Sequence, residues 1–459
     1  MERFGIQVNL KNQPALDPAF LPLYRWEEEY LKGAEEKLAV ALVREGGKTC
    51  VCETKIYGTE KMREADFFHV ERLVKFLLWA KGGYRVIICG NEKVYEYIKK
   101  TYAADGARAF DFKTMGDVYE SAFSVERRPY EERPDEVDAS QKIGGHTDGC
   151  RIGFDAGGSD RKVSAVIDGK CVYSEEVVWF PKTESDPDYH FRGIVEALKT
   201  AASKMPRVDA VGVSSAGIFV NDRTMLSSLF WKVPKEDFDK KVKDIYIRAA
   251  KELGDVPVQV ANDGDVTALA GAMGLDDTGV LGIAMGTSEA AGYVDRRGNV
   301  TGWLNELAFA PVDASARGAV DEWSGDAGCG VKYFSQDAVI KLAPAAGIFL
   351  NEDLSPAEKL KVVQTMAEEG DEAALNVFRS IGAYLGHTLP LYAGIYDLKH
   401  LLILGRVTSG RGGEEILSVC RKVLREEYPA LSVNVQLPDE KTRRVGQSVA
   451  AAGLPEIRK

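Results

Sequence analysis

Three short segments of this chain carry residue types suited to holding phosphate and activating a hydroxyl group. The first is Asp155-Ala156-Gly157-Gly158-Ser159. Glycines let backbone N–H groups approach phosphate oxygens, Ser159 adds a hydroxyl donor, and a carboxylate such as Asp155 can hold a hydrated Mg²⁺ beside them. An ordinary hairpin turn draws on the same residues. The second is Asn262-Asp263, delivered by the apolar run Val258-Gln259-Val260-Ala261. Asp263 has the chemistry of a general base and Asn262 that of an amide orienting a hydroxyl. Capping of the following helix would also favour Asn and Asp here. The third is Ile283-Ala284-Met285-Gly286-Thr287-Ser288-Glu289, a strand ending in a small, hydroxyl-rich turn. It reads either as a second phosphate clasp or as another hairpin.

The elements around these segments alternate. Cys150 to Phe154 reads as a strand running into Asp155, with returning strands at Lys162 to Ile167 and Cys171 to Val178 about an Asp168-Gly169 turn. A helix is expected over Phe191 to Ala202, then strands at Ala210 to Ser214, Val256 to Val260, Val280 to Met285 and Leu401 to Leu404, with helices between them. This places Asn262 and Asp263 at the carboxyl end of a strand, where ligand sites of α/β sheets lie. Before Arg127 the chain holds a smaller module. It has strands at Lys37 to Val43 and Thr49 to Ile56, a helix over Phe67 to Trp79 with Val70, Leu73, Val74, Leu77 and Leu78 on one side, a strand at Tyr84 to Cys89, and a helix from Glu92 to Tyr102. Residues 127–149 are rich in charge, Pro and Gly and read as a linker. The expected domains are therefore 1–126, an α/β module of unassigned role, and two larger parts at 150–270 and 271–459.

Composition narrows the function classes. With 459 residues, 45% hydrophobic and 28% charged, the chain suits several globular cores. No apolar run is long enough to cross a bilayer, and the first residues lack the apolar core of a signal peptide, so a cytoplasmic protein without membrane contact is expected. A net charge of −11 disfavours a nucleic-acid partner. The seven cysteines are scattered and odd in number, which argues against a disulfide framework. The five histidines show no paired ligand spacing.

The succession strand-Asp-Gly-Gly, Gly212-Val213-Ser214-Ser215-Ala216-Gly217, strand-Asn-Asp and strand-Gly-Thr resembles the ROK family of sugar kinases and repressors. Leu229-Phe230-Trp231-Lys232-Val233-Pro234 and Ile381-Gly382-Ala383-Tyr384-Leu385-Gly386-His387, ahead of Leu401-Leu402-Ile403-Leu404-Gly405, extend the resemblance from about Arg151 to the C-terminus. It implies an α/β fold of two actin-like (ribonuclease H-like) lobes around a cleft, with a C-terminal helix returning to the first lobe. It further implies that Asp155, Gly157, Gly158 and Ser159 face ATP phosphates and Mg²⁺. Asp263 would act as base on a sugar hydroxyl, with Asn262 and Glu306 as sugar contacts and Gly286, Thr287 and Gly405 as nucleotide contacts. The chain departs from the family in five places. Phe309 stands where a zinc-binding histidine follows the glutamate, and Cys329 alone remains of a cysteine cluster, so no zinc is expected. Ser288-Glu289 and Arg406 replace glycines, and a carboxylate at Glu289 would repel phosphate. Asp160 after Ser159 raises the same repulsion. Two readings follow. One is an ATP-dependent phosphotransferase acting on a sugar or sugar-like hydroxyl. The other is a non-catalytic sugar-binding or regulatory relative that has lost ATP use. The N-terminal module leaves open a protein partner or a homodimer.

Overall fold

The computed structural model describes residues 1–137, 143–438 and 446–457. The chain forms two compact units that do not follow sequence order. Met1–Ala139, Ile283–Ala291 and Trp303–Leu437 make the first, and Ser140–Gly282, Gly292–Gly302 and Pro438–Lys459 the second. Part of the expected linker, residues 138–142, lies outside the described residues. No helix among the described residues is long and apolar enough to cross a membrane.

After a short N-terminal strand pair (Glu2–Arg3 with Ile6–Gln7) and a helix at Leu23–Leu31, the first unit continues with strands β1 (Glu36–Val43) and β2 (Thr49–Ile56), helix α1 (Arg63–Ala80), strand β3 (Arg85–Cys89), helices α2 (Glu92–Thr101) and α3 (Ala109–Val118), and strand β4 (Ser124–Arg128). Its sheet runs β2-β1-β3-β4, with β1 antiparallel to both neighbours and β3 parallel to β4. Leu38 to Val43 is an unbroken buried run, as a central strand covered on both faces requires. Helix α1 departs from the sequence expectation. Val70, Val74, Leu77 and Leu78 of its apolar stripe are buried and Leu73 half-buried, but Asp66, His69, Glu71, Arg72 and Lys75 are buried too.

Three cations and three anions meet in that buried region, all within the first unit. Arg72 donates to Glu71 and, at 2.9 Å, to Asp326. Lys75 pairs with Asp111 at 3.0 Å and Asp326 at 3.4 Å. Arg108 pairs with Glu71 at 2.6 Å and Asp326 at 2.8 Å. Burial alone would raise the Asp326 carboxyl, but Arg72, Lys75 and Arg108 outweigh it and hold the group well below its ordinary range. Arg72 and Lys75 of α1, with Arg108 just ahead of α3, thus hold Asp326 in the loop that carries Cys329.

The second unit is built on strands β5 (Cys150–Ala156), β6 (Asp160–Ile167), β7 (Lys170–Val178), β8 (Ala210–Ser215) and β9 (Val258–Asn262), in the order β9-β8-β5-β6-β7. The hairpin strands β5, β6 and β7 are antiparallel, while β8 runs parallel to both β5 and β9. Helices α4 (Pro187–Ala202) and α5 (Ile245–Lys251) cover one face, and α6 (Asp263–Leu275) follows β9. Their core includes Ile152, Phe154, Val163, Trp179, Ile194, Leu198, Val211, Val213, Phe230 and Tyr246.

Strands β10 (Val280–Met285) and β11 (Glu289–Val294) carry the chain from one unit to the other and back. They extend a sheet of order β11-β10-β12-β13, with β12 at His400–Leu404 and β13 at Asn434–Gln436. Helices α7 (Glu372–Ala393) and α8 (Gly410–Glu427) belong to the same unit as β12 and β13. The last helix, α9 (Gln447–Ala452), returns to the second unit and packs on β5 and β8. Any side chain at Gly153 would strike the Ser448 carbonyl oxygen, so this approach of helix to sheet demands glycine.

Candidate functional site

In the second unit, parallel pairing sets the geometry of the first two motifs. Ser214 of β8 is in register with Asp155 of β5, and Ser215 with Asn262 of β9. The carboxyl ends of three adjacent strands therefore present Asp155, Ser214 and Asn262-Asp263 side by side. Asp155 is buried, and its Oδ1 accepts a 2.7 Å hydrogen bond from the Ser214 hydroxyl. Burial pushes its carboxyl up to about 6. The Ser214 bond and Lys162 oppose the rise, while the charges of Asp263 and Asp160 add to it. Burial also raises Asp263, against the opposing effects of the Gly264 N–H and Lys182. Asp155 and Asp263 thus interact electrostatically, although 108 positions separate them in sequence.

Asn262 serves as the N-cap of α6. Its Oδ1 accepts from the Gly264 N–H at 2.7 Å, and its Nδ2 donates to the Gly217 carbonyl at 2.7 Å. The capping chemistry expected as an alternative is present. It also fixes Asp263 as the first helical residue, with its carboxyl 3.0 Å from the Gly264 N–H. Behind Ser215, the buried Tyr246 hydroxyl lies 2.7 Å from the serine oxygen and braces the end of β8.

The turn between β5 and β6 is Gly157-Gly158-Ser159. Trp179, just past β7, holds it from below. The indole Nε1 donates to the Gly157 carbonyl at 2.8 Å and the Trp179 N–H to the Ser159 carbonyl at 3.1 Å. Those carbonyls are thereby occupied, and Gly158 and Ser159 remain exposed at the tip. A Cβ placed on Gly158 would lie 3.2 Å from the Lys182 ammonium. Sequence reasoning missed three contributors here. Ser214 lay within a motif already quoted, whereas Trp179 and Lys182 gave no signal, because they reach the turn only through pairing of β7 with β6.

The third motif and Gly405 come together in the first unit. Gly405 follows β12 with φ at 92°, and a Cβ there would sit 2.5 Å from the Met285 carbonyl oxygen at the end of β10. Only glycine permits that contact. Gly286 is in the adjoining turn, its N–H donating to Ser288 and its carbonyl accepting from Gln336. Arg406 donates to the Thr287 hydroxyl at 2.6 Å and is itself held by Gln364, which donates to its carbonyl.

Glu289 is not aimed at solvent. It is 3% exposed, lies against Gly330, and neither carboxyl oxygen has a hydrogen bond of ordinary geometry. Burial, with the charge of Glu306, pushes it up to about 8, with the Tyr392 hydroxyl acting weakly the other way. At neutral pH it is a carboxylic acid, which removes the repulsion of phosphate expected from the sequence. Glu306 is half-buried, and its N–H is held by the Trp79 carbonyl at 2.9 Å. Trp303, nearby in sequence, carries the Lys81 ammonium 4.3 Å above its ring.

The donor set at Asp155 fits a magnesium ion. Mg²⁺ is typically held by one or two carboxylates, with water and substrate phosphates completing its shell. A buried carboxyl without an ion pair, beside an exposed glycine turn, offers that single ligand. Among the described residues, no group of three or more His, Cys, Asp or Glu forms a metal cage.

A family model described as the ROK family matches residues 151–453. No curated protein matches the chain. Among solved structures, a ROK hexokinase from Thermus thermophilus is 18% identical with a TM-score of 0.51, covering 66% of this chain and 97% of that one. A ROK family transcriptional regulator, a homologue of the E.coli MLC protein, is 17% identical with a TM-score of 0.51, covering 66% and 77%. At these identities the likeness is one of fold, and a kinase and a regulator share it equally.

Proposed function

The chain belongs to the ROK family, and from that premise we propose that it is an ATP-dependent phosphotransferase acting on a sugar or sugar-like hydroxyl. One observation carries the reading: Asp155 and Asp263 stand at the carboxyl ends of β5 and β9, both raised by burial and interacting electrostatically. A buried and a half-buried carboxyl without a neutralising ion pair lower the stability of the folded chain, which supports a ligand-binding role for the pair.

In this reading the exposed turn Gly157-Gly158-Ser159 receives the nucleotide phosphates, and Asp155 would hold Mg²⁺. That ion would supply charge neutralisation at the phosphates. Asp263 accepts the proton of the attacking hydroxyl. Its raised affinity for a proton, the result of burial, suits it to that task. The helix N-terminus and the Gly264 N–H keep the carboxyl oriented. Asn262 orients a neighbouring hydroxyl through whatever valence its cap bonds leave, and Glu306 is the remaining sugar contact. Gly286, Thr287 and Gly405 form the nucleotide contacts of the first unit.

A regulatory, non-catalytic reading has one observation in its favour. Arg406 already occupies the Thr287 hydroxyl. The two readings separate on calorimetry with Mg²⁺ and ATP. Micromolar binding that is lost in Asp155→Ala supports the kinase reading. No binding at millimolar ATP would sink it in favour of a sugar-binding regulator.

A further inference from the structure

We propose that Lys182 is a further catalytic residue, a fixed cation that contacts the phosphoryl group in transit between the Gly157-Gly158 turn and Asp263. The proposal rests on the phosphotransferase reading above and names a residue that neither the family motif nor the sequence pattern singled out.

The argument begins with position. The Lys182 ammonium comes within 3.2 Å of where a Gly158 side chain would begin, so it lies over the glycine turn. The same ammonium acts on the Asp263 carboxyl. A cation that lies over the phosphate turn, and close enough to the base for its charge to be felt there, stands beside the ground a phosphoryl group must cross from donor to acceptor oxygen. Charge spreads over the peripheral oxygens of that group during transfer, and a positioned cation stabilises it there.

The segment bearing Lys182 is held in place. Trp179 fixes its start through two bonds to the turn, from Nε1 to the Gly157 carbonyl and from its N–H to the Ser159 carbonyl. Phe180 donates its N–H to the Tyr189 hydroxyl at 3.1 Å. Thr183 closes on the Phe180 carbonyl with both its N–H at 3.2 Å and its hydroxyl at 3.0 Å. The buried His190 ring, on α4, lies 3.0 Å from the Pro181 carbonyl. Four anchors on a run of five residues leave Lys182 exposed on a turn whose backbone is already ordered, so the entropy lost when it meets a ligand is confined to its side chain.

Its charge is also uncommitted. Lys162, the other lysine of this region, lies 3.6 Å from Asp160 and 3.9 Å from Glu176. Lys182 makes no ion pair with any described residue. The acidic neighbourhood of Asp155, Asp160 and Asp263 would repel a polyphosphate, and Lys182 is the cation placed to offset it.

The test is calorimetry of the full chain with Mg²⁺ and either AMPPNP or ADP, for wild type, Lys182→Met and Lys182→Arg, with thermal melting as a control on folding. Lys182→Met is expected to weaken AMPPNP about tenfold and ADP hardly at all, because only the former carries the terminal phosphoryl group. Lys182→Arg should recover most of the loss, and all three should melt alike. In turnover with an accepted sugar, Lys182→Met should lower kcat about 10²-fold and leave the sugar KM near wild type. Equal weakening of both nucleotides, or no weakening, would overturn the role of Lys182 while leaving the phosphotransferase reading in place. A wild type that binds neither nucleotide would overturn both.

Discussion

Glu289→Gln offers a measurement whose size follows from one buried group. Wild-type Glu289 keeps its proton up to about pH 8, whereas an exposed glutamate loses it near 4.5. Between those values the folded state holds a proton that the unfolded state has released. Stability therefore falls as pH rises across that window, by about 1.4 kcal/mol per pH unit for a fully retained proton. The full loss is on the order of 3–5 kcal/mol by pH 9, complete once both states are ionised. Glutamine keeps the shape and has no proton to lose. The variant should match wild type most closely near pH 5 and become progressively more stable than it towards pH 9. Denaturant titrations of both proteins at pH 5, 7 and 9, followed by tryptophan fluorescence, give the difference directly. Parallel pH profiles would show that Glu289 ionises freely in the folded chain. The claim that it is neutral beside the Thr287 turn would then be wrong, and the repulsion argument against nucleotide binding would return.

Other changes test separate parts of the structure. Asp263→Asn should reduce phosphotransfer by about 10²–10⁴-fold in a coupled assay while Mg²⁺-nucleotide binding measured by calorimetry stays near wild type. An Asp263 variant with wild-type turnover would remove it as the base. Gly405→Ala places a Cβ 2.5 Å from the Met285 carbonyl at a φ of 92°, and should cost at least about 2 kcal/mol in a melting experiment. Arg72→Ala leaves Glu71 and Asp326 buried with less compensation and should cost about 3–5 kcal/mol, read by denaturant midpoint. A shift under about 1 kcal/mol would mean that water reaches the cluster.

The mixed α/β fold and the ROK resemblance were legible in the sequence because they depend on local signals. Apolar runs ending in Asp-Gly-Gly, Asn-Asp and Gly-Thr mark strand ends, and each such strand forms close to where the pattern puts it. Strand β9 runs to Asn262 instead of stopping at Val260, since its last residues pair with Ser214 and Ser215, a partnership no local pattern encodes. The same limit explains what was missed at the site. Ser214, Trp179 and Lys182 reach Asp155 and its turn through sheet pairing and side-chain bonds from other strands. Glu289 looked like a charge facing phosphate because its exposure cannot be read from its neighbours in sequence. Helix α1 was read by its apolar stripe alone. That stripe says nothing of Glu71, Arg72 and Lys75, whose partners Arg108, Asp111 and Asp326 lie outside the helix.

That cluster also governs the order in which the chain can mature. Arg72 and Asp326 lie 254 residues apart. At a synthesis rate of about 5–20 residues per second, Arg72 leaves the ribosome roughly 13–50 seconds before Asp326, the distant one of its two carboxylate partners. Within that interval most of the second unit emerges, including β5 to β9 and α6, and can pack its own core. The N-terminal segment must wait with three cations facing only two of their three carboxylates. Glu71 and Asp111 already answer part of its charge locally, so the pairs made by Asp326, which close a loop of 254 residues, are the ones expected to form last on refolding from denaturant.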